Sequence, residues 1–136
     1  MSKITGYSDA PYLIREAGEA LEAATMGALK TSDNKIYKAD DAAGYNLVGV
    51  IQEDTSSGDK VTLLYPVAWV DNSSINAVTN SHIGGVCYVE DETTVASASG
   101  AGIGTPLIAG RVLEVDSTKG VLVDFSAKAA VSASAT

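Results

Sequence analysis

Two alternating runs near the C-terminal end constrain the fold more than anything else in this chain. Arg111–Asp116 reads RVLEVD and Val121–Phe125 reads VLVDF. Side chains in a strand alternate faces with a period of two. The first run therefore sets Leu113 and Val115 on one face, with Val112, Glu114 and Asp116 opposite. The second groups Val121, Val123 and Phe125, with Leu122 and Asp124 opposite. Ser117–Gly120 is the polar break between them. Two such runs joined by a short polar loop predict a β-hairpin.

The same signal recurs along the chain. Ala28–Lys30, the turn Thr31–Asn34 and Lys35–Lys38 read as a hairpin, with Asp33 and Asn34 supplying the turn chemistry. Asn46–Gln52 contains the run LVGVI and is expected to be buried on both faces. Ser56–Asp59 is a turn. Lys60–Val70 reads as one strand with Val61, Leu63, Tyr65, Val67 and Trp69 in phase. Pro66 lies inside it and calls for a bulge or an edge position, because proline cannot donate to the ladder. Trp69, the single tryptophan, is expected in the core by its phase, with a subunit interface as the alternative. Asp71–Gly85 is a polar loop with room for one helical turn. Further strands are expected at Val86–Val89, Thr93–Ala96, Leu107–Asp116 and Val121–Ser126.

Residues 14–30 carry conflicting signals. Ala, Glu and Leu favour helix there, while Gly18, Thr25 and Gly27 oppose it. A strand is favoured at Gly27–Lys30, and a short helical turn around Glu19–Ala23 stays open. Short strands with turn signals about every 8–12 residues predict a β-barrel or sandwich. The expected organisation is mostly β, one small domain over 14–126. An extended arm over 1–13 precedes it, and a disordered, small-residue tail over 127–136 follows.

Charge restricts the partners. Nine basic residues face seventeen acidic ones, a formal net charge of −8. Nucleic-acid binding needs clustered cations, and an anionic membrane repels such a chain. A single cysteine excludes an intrachain disulfide framework. No apolar leader core opens the sequence, so synthesis and residence in a reducing cytoplasm are expected.

The candidate chemical groups point to no reaction. His82, the only histidine, sits in a polar loop away from any activated-serine motif. Cys87 lies between Val86 and Tyr88 and reads as a small buried hydrophobe. Gly100–Gly104 fails the nucleotide-loop pattern, since its third glycine comes one position early and Pro106 follows where a helix should start. Asp40-Asp41 and Glu90–Glu92 match no calcium loop and read as solvated turns. Asn72-Ser73-Ser74 fits a glycosylation sequon but has no secretory context. The expectation is a non-enzyme with no cofactor and no metal.

Five phrases in order carry a resemblance: AGEAL (17–21), NKIYKAD (34–40), LVGVIQEDTSSGDKVTLL (47–64), INAVTNSHIGGVCYVEDETTV (75–95) and AGRVLEVDSTKGVLVDF (109–125). Together they resemble the capsid decoration, or cement, proteins of tailed bacteriophages. The resemblance implies a small β-barrel-like (β-tulip-like) domain on the outer capsid face. It implies homotrimers at three-fold and quasi-three-fold positions that bridge capsomers against DNA pressure. The partners implied are the major capsid protein and neighbouring decoration subunits, with the protein made in the host cytoplasm and resident on the virion. An N-terminal arm that contacts capsid or a neighbour is part of that picture. Ile4, Tyr7, Tyr12 and Leu13 are the expected anchors, being apolar residues in a segment without a core of its own. The alternatives are a carbohydrate- or receptor-binding β-module and a fibre or tail-tube protein.

Overall fold

The computed structural model describes residues 15–40, 44–61, 64–98 and 107–127. Among these the chain is mostly β, with eleven strands and two short 3-10 turns. The strands are β1 (Arg15–Glu16), β2 (Met26–Lys30), β3 (Lys35–Lys38), β4 (Tyr45–Ile51), β5 (Lys60–Val61), β6 (Leu64–Tyr65), β7 (Val67–Asn72), β8 (Val86–Val89), β9 (Thr94–Ala96), β10 (Ile108–Asp116) and β11 (Gly120–Asp124). Five of them close a barrel in the order β10-β11-β7-β9-β8. Four more form an open sheet in the order β3-β2-β4-β6, and β1 pairs with β5.

Turn chemistry explains both expected hairpins. In the β2–β3 turn, Asn34 adopts the left-handed conformation at φ 59°. The Asp33 carboxylate accepts from the Lys35 N–H at 3.0 Å and from the Tyr37 hydroxyl at 2.6 Å. In the β10–β11 turn, Asp116 Oδ2 accepts from the Thr118 and Lys119 N–H groups at 2.9 and 2.7 Å. Gly120 closes that turn at φ 98°, and a Cβ there would run into the carbonyl oxygen of Val70. Only glycine meets both demands.

The faces differ from simple alternation because bulges reset the phase. The β10–β11 register passes from Val112↔Val123 to Glu114↔Leu122, which leaves Leu113 as the extra residue. Val112 is therefore fully buried, Val115 packs against the same core, and Leu113 is exposed. The expected pairing of Leu113 with Val115 on one face is thus corrected. On the facing strand, Val121, Val123 and Phe125 are buried as expected. A second bulge lies on β4, where Gly27↔Gly49 is followed by Ala28↔Leu47. It turns Leu47 and Val50 to one face and Val48 and Ile51 to the other.

Both faces of the open sheet are consequently used. Met26, Ala28, Leu47 and Val50 share one core with Val70, Cys87, Val95, Val112, Val121, Val123 and Phe125 of the barrel side. Ile36, Ile51 and Leu64 form a second core with Ala17, Leu21 and Val61. The expectation of two-sided burial for the LVGVI strand holds, although Asn46 at its start is exposed.

Lys60–Val70 is not one strand. It divides into β5, β6 and β7, which belong to three different sheets. Pro66 stands at the passage from open sheet to barrel, and its carbonyl accepts from the Phe125 N–H at 2.8 Å. The expected common face breaks there. Val61, Leu64 and Val70 are buried, while Tyr65 and Val67 are exposed. The Glu19–Ala23 stretch is not helical. Leu21 bridges Thr55, and Ala24 turns the chain at φ 66°. The expected turn in the 71–85 loop is the 3-10 turn Asn80–His82. The expected strand end at Val121–Ser126 gives way to a second such turn from Phe125.

Candidate functional site

The largest departure from the sequence reading lies on the outer wall of the barrel. Val121 and Val123 point inward and pair with Val70 and Ala68. Alternation then sends Val67, Trp69 and Leu122 outward. Trp69 and Leu122 face each other across β7 and β11. Trp69 is partly exposed on this wall, not buried in the core, and Lys119 Nζ lies 5.4 Å from its ring centroid. Tyr65, Pro66 and Val67 are consecutive exposed residues that extend the strip toward the open sheet. Tyr65 is 47% exposed and Val67 41%. An aromatic-rich apolar strip of this kind is typical of protein interfaces. The sequence hides it, because its phase is readable only once the break at Pro66 and the β7–β11 register are known.

Two grooves lie elsewhere. The first, ≈ 400 Å³, is lined by Glu19, Tyr37, Lys38, Asp40, Tyr45 and Glu92 among others. Tyr37 and Tyr45 meet edge to face with centroids 6.2 Å apart. The Tyr37 hydroxyl donates to Asp33, and that bond raises its pKa to about 12 while lowering that of Asp33. Glu19 Oε2 accepts from the Lys38 N–H at 2.9 Å. Glu92 Oε2 is buried without a hydrogen-bond partner among the described residues. The second groove, ≈ 500 Å³, lies at the barrel mouth between Asp71, Asn72, Ser74, Glu90, Thr94 and Asp116.

Several candidate groups have structural employment. Cys87 is fully buried, and burial pushes its thiol up to about 12, far from a nucleophile's range. His82 Nδ1 accepts from the Thr79 N–H at 2.9 Å within its turn. Asn72 of the sequon clamps Val78, accepting from its N–H and donating to its carbonyl, both at 2.8 Å. Ser73 is buried, donates to Glu90 at 2.6 Å and accepts from the N–H groups of Ile75 and Asn76. Asp91 accepts from the Thr93 N–H at 3.0 Å. Asp40 lines the first groove, whereas Asp41 and the Gly100–Gly104 loop lie outside the described residues. The arm residues Ile4, Tyr7, Tyr12 and Leu13 also lie outside them, as does the tail beyond 127. Among the described residues, no group of three or more His, Cys, Asp or Glu side chains is placed to hold a metal ion.

The geometry defines a small closed β-barrel domain flanked by an open sheet, with an outward apolar strip where the two meet. No family model, curated protein or solved structure matches this chain.

Proposed function

We propose that the protein is a non-enzymatic decoration protein of a tailed-bacteriophage capsid. It binds the outer capsid face as trimers at three-fold and quasi-three-fold positions and cements neighbouring capsomers. The observation that carries this reading is the ordered resemblance from Ala17 to Phe125. Its phrases coincide with architectural units: NKIYKAD contains β3, LVGVIQEDTSSGDKVTLL runs from β4 to the start of β6, and AGRVLEVDSTKGVLVDF covers most of the β10–β11 hairpin. The acidic balance of the chain suits a surface that faces away from packaged DNA. Cementing follows from avidity, since several modest contacts per trimer become strong when made together.

Co-sedimentation with expanded heads lacking the protein tests this. Saturable binding at a fixed small copy number per capsomer is expected, with a gain in heat resistance of the particles. Heads that stay undecorated at saturating protein would discard the proposal.

The tyrosine- and carboxylate-lined first groove favours a second reading, a carbohydrate-binding module. A glycan that shifts the Tyr37 and Tyr45 ring resonances would support it. A flat response across a broad panel would remove it.

A further inference from the structure

We propose that the outer wall of the barrel is a two-fold contact between two copies of this chain, centred on Trp69 and Leu122. The register lays the wall out in rows. The β11 strand runs between β10 and β7. The middle row is Glu114, Leu122 and Trp69, one residue from each strand. Two residues along, toward the end of β11, lies the row Arg111, Asp124 and Val67. Two residues the other way lie Asp116 and Gly120, with Asp71 at that end of β7 and Lys119 reaching back over the Trp69 ring. The bulge residue Leu113 adds an exposed apolar side chain beside the middle row.

The charges of the two outer rows complement each other. On β10, Arg111 stands in one row and Asp116 in the other. Asp124 ends β11, and Lys119 stands just before its start. A two-fold axis laid along the middle row, between two facing copies, exchanges the outer rows. It sets Arg111 against the second copy's Asp116 and Asp124 against the second copy's Lys119, each contact made twice. Leu122 and Trp69 meet their own counterparts on the axis, and Val67 meets Asp71 at the rim. Glu114 meets a like charge. A two-fold contact requires a patch that complements itself in this way. Among the described residues neither Arg111 nor Lys119 is in an ion pair within its own copy. A basic partner would satisfy the carboxylates of the wall but meet like charge at those two cations, and an acidic partner the reverse. The wall's own image answers both signs. Three strands about 4.8 Å apart and five residues at about 3.4 Å each, with a side-chain width around them, give a footprint of roughly 500 Å² per copy. That is the low end for a specific contact, so the pairing is weak and reversible. The inference concerns the free protein and stands or falls apart from the capsid reading.

Sedimentation equilibrium and Trp69 fluorescence of the full chain, from about 1 μM to about 1 mM, test it. Monomer should pass to dimer, with Trp69 emission moving to the blue and acrylamide quenching falling over the same range. Leu122→Glu sets two carboxylates on the axis and should abolish the dimer. Lys119→Glu should weaken it about ten-fold, and adding Asp124→Lys should restore it. Glu114→Gln removes the like-charge contact and should tighten the dimer several-fold, a gain that no loss of folding can mimic. A monomer throughout the range would overturn the proposal, as would an assembly larger than a dimer. A dimer that Leu122→Glu and Lys119→Glu leave intact, or that Glu114→Gln fails to tighten, would overturn it too.

Discussion

The barrel and the open sheet solve the same problem in opposite ways. The barrel pairs every one of its five strands on both sides and leaves no free edge, while the open sheet ends at β3 and β6. Closure lets the barrel use one face only, so its inner residues are small and fully buried valines, alanines and Cys87. The open sheet instead buries two faces, one on the barrel and one under the 15–21 and 55–61 segments. Edges are where proteins meet other chains. The comparison therefore assigns closure to the barrel and open edges to the sheet among the described residues.

Phe125 tests whether the two halves share their stability. It is 2% exposed, and its 3-10 turn packs on both β4 and β10. Phe125→Ala should cost about 3–5 kcal/mol and lower the midpoint of one common unfolding transition, because it empties a core that both halves share. Two resolved unfolding steps by calorimetry would show that the halves are independent.

Gly120 probes the barrel alone. Gly120→Ala should cost about 1–3 kcal/mol, from the positive φ and the clash with the Val70 carbonyl. Hydrogen exchange should accelerate along β7 and β11 and stay slow in β2. Equal acceleration in both would erase the proposed division.

Cys87 sharpens it on the pH axis. Its pKa is raised from 9.0 to about 12 in the fold, so the folded state keeps the proton longer. Stability is intact below about pH 9. It falls as pH rises toward 12, at no more than about 1.4 kcal/mol per pH unit from this group. Cys87→Ala should flatten that part of the alkaline profile, as read by thermal melts between pH 8 and 11. Asp116 acts at the other end. Its carboxyl is lowered chiefly by the Lys119 N–H, so its contribution is present above the usual Asp range and is lost as pH falls through the depressed value. Asp116→Asn should weaken the acid-side slope.

The smallest effect belongs to the exposed pair Lys35–Glu16, 3.3 Å apart. Lys35→Ala should change stability by less than about 0.5 kcal/mol in denaturant titrations. A larger loss would mean that the β1–β3 contact holds the open sheet more firmly than its exposure implies.

Much of this was legible in the residues. The two hairpins were readable because Asp33-Asn34 and Asp116–Gly120 encode their own turns locally. The β8 and β9 strands were readable from period alone. The outward strip was not, for a physical reason. Phase is carried along a strand only while the strand continues, and bulges at Leu113 and Val48-Gly49 and the sheet change at Pro66 each reset it. Each reset is set by the pairing with a partner strand, which the run itself does not encode. The candidate arm anchors Ile4, Tyr7, Tyr12 and Leu13 rested on composition, and their surroundings lie outside the described residues.

The barrel's strand order has a consequence for the newborn chain. The β11 strand sits between β10 and β7, and β7 meets β9 through a parallel seam of only two residue pairs. The open sheet needs nothing beyond residue 65, so it has all its strands early in translation. The ring cannot shut until residue 124 has left the ribosome. Until then β7 and β10 wait with unpaired edges and an exposed valine face. The most closed element is thus completed after the open sheet, and its valine face stays open to misassembly until β11 emerges.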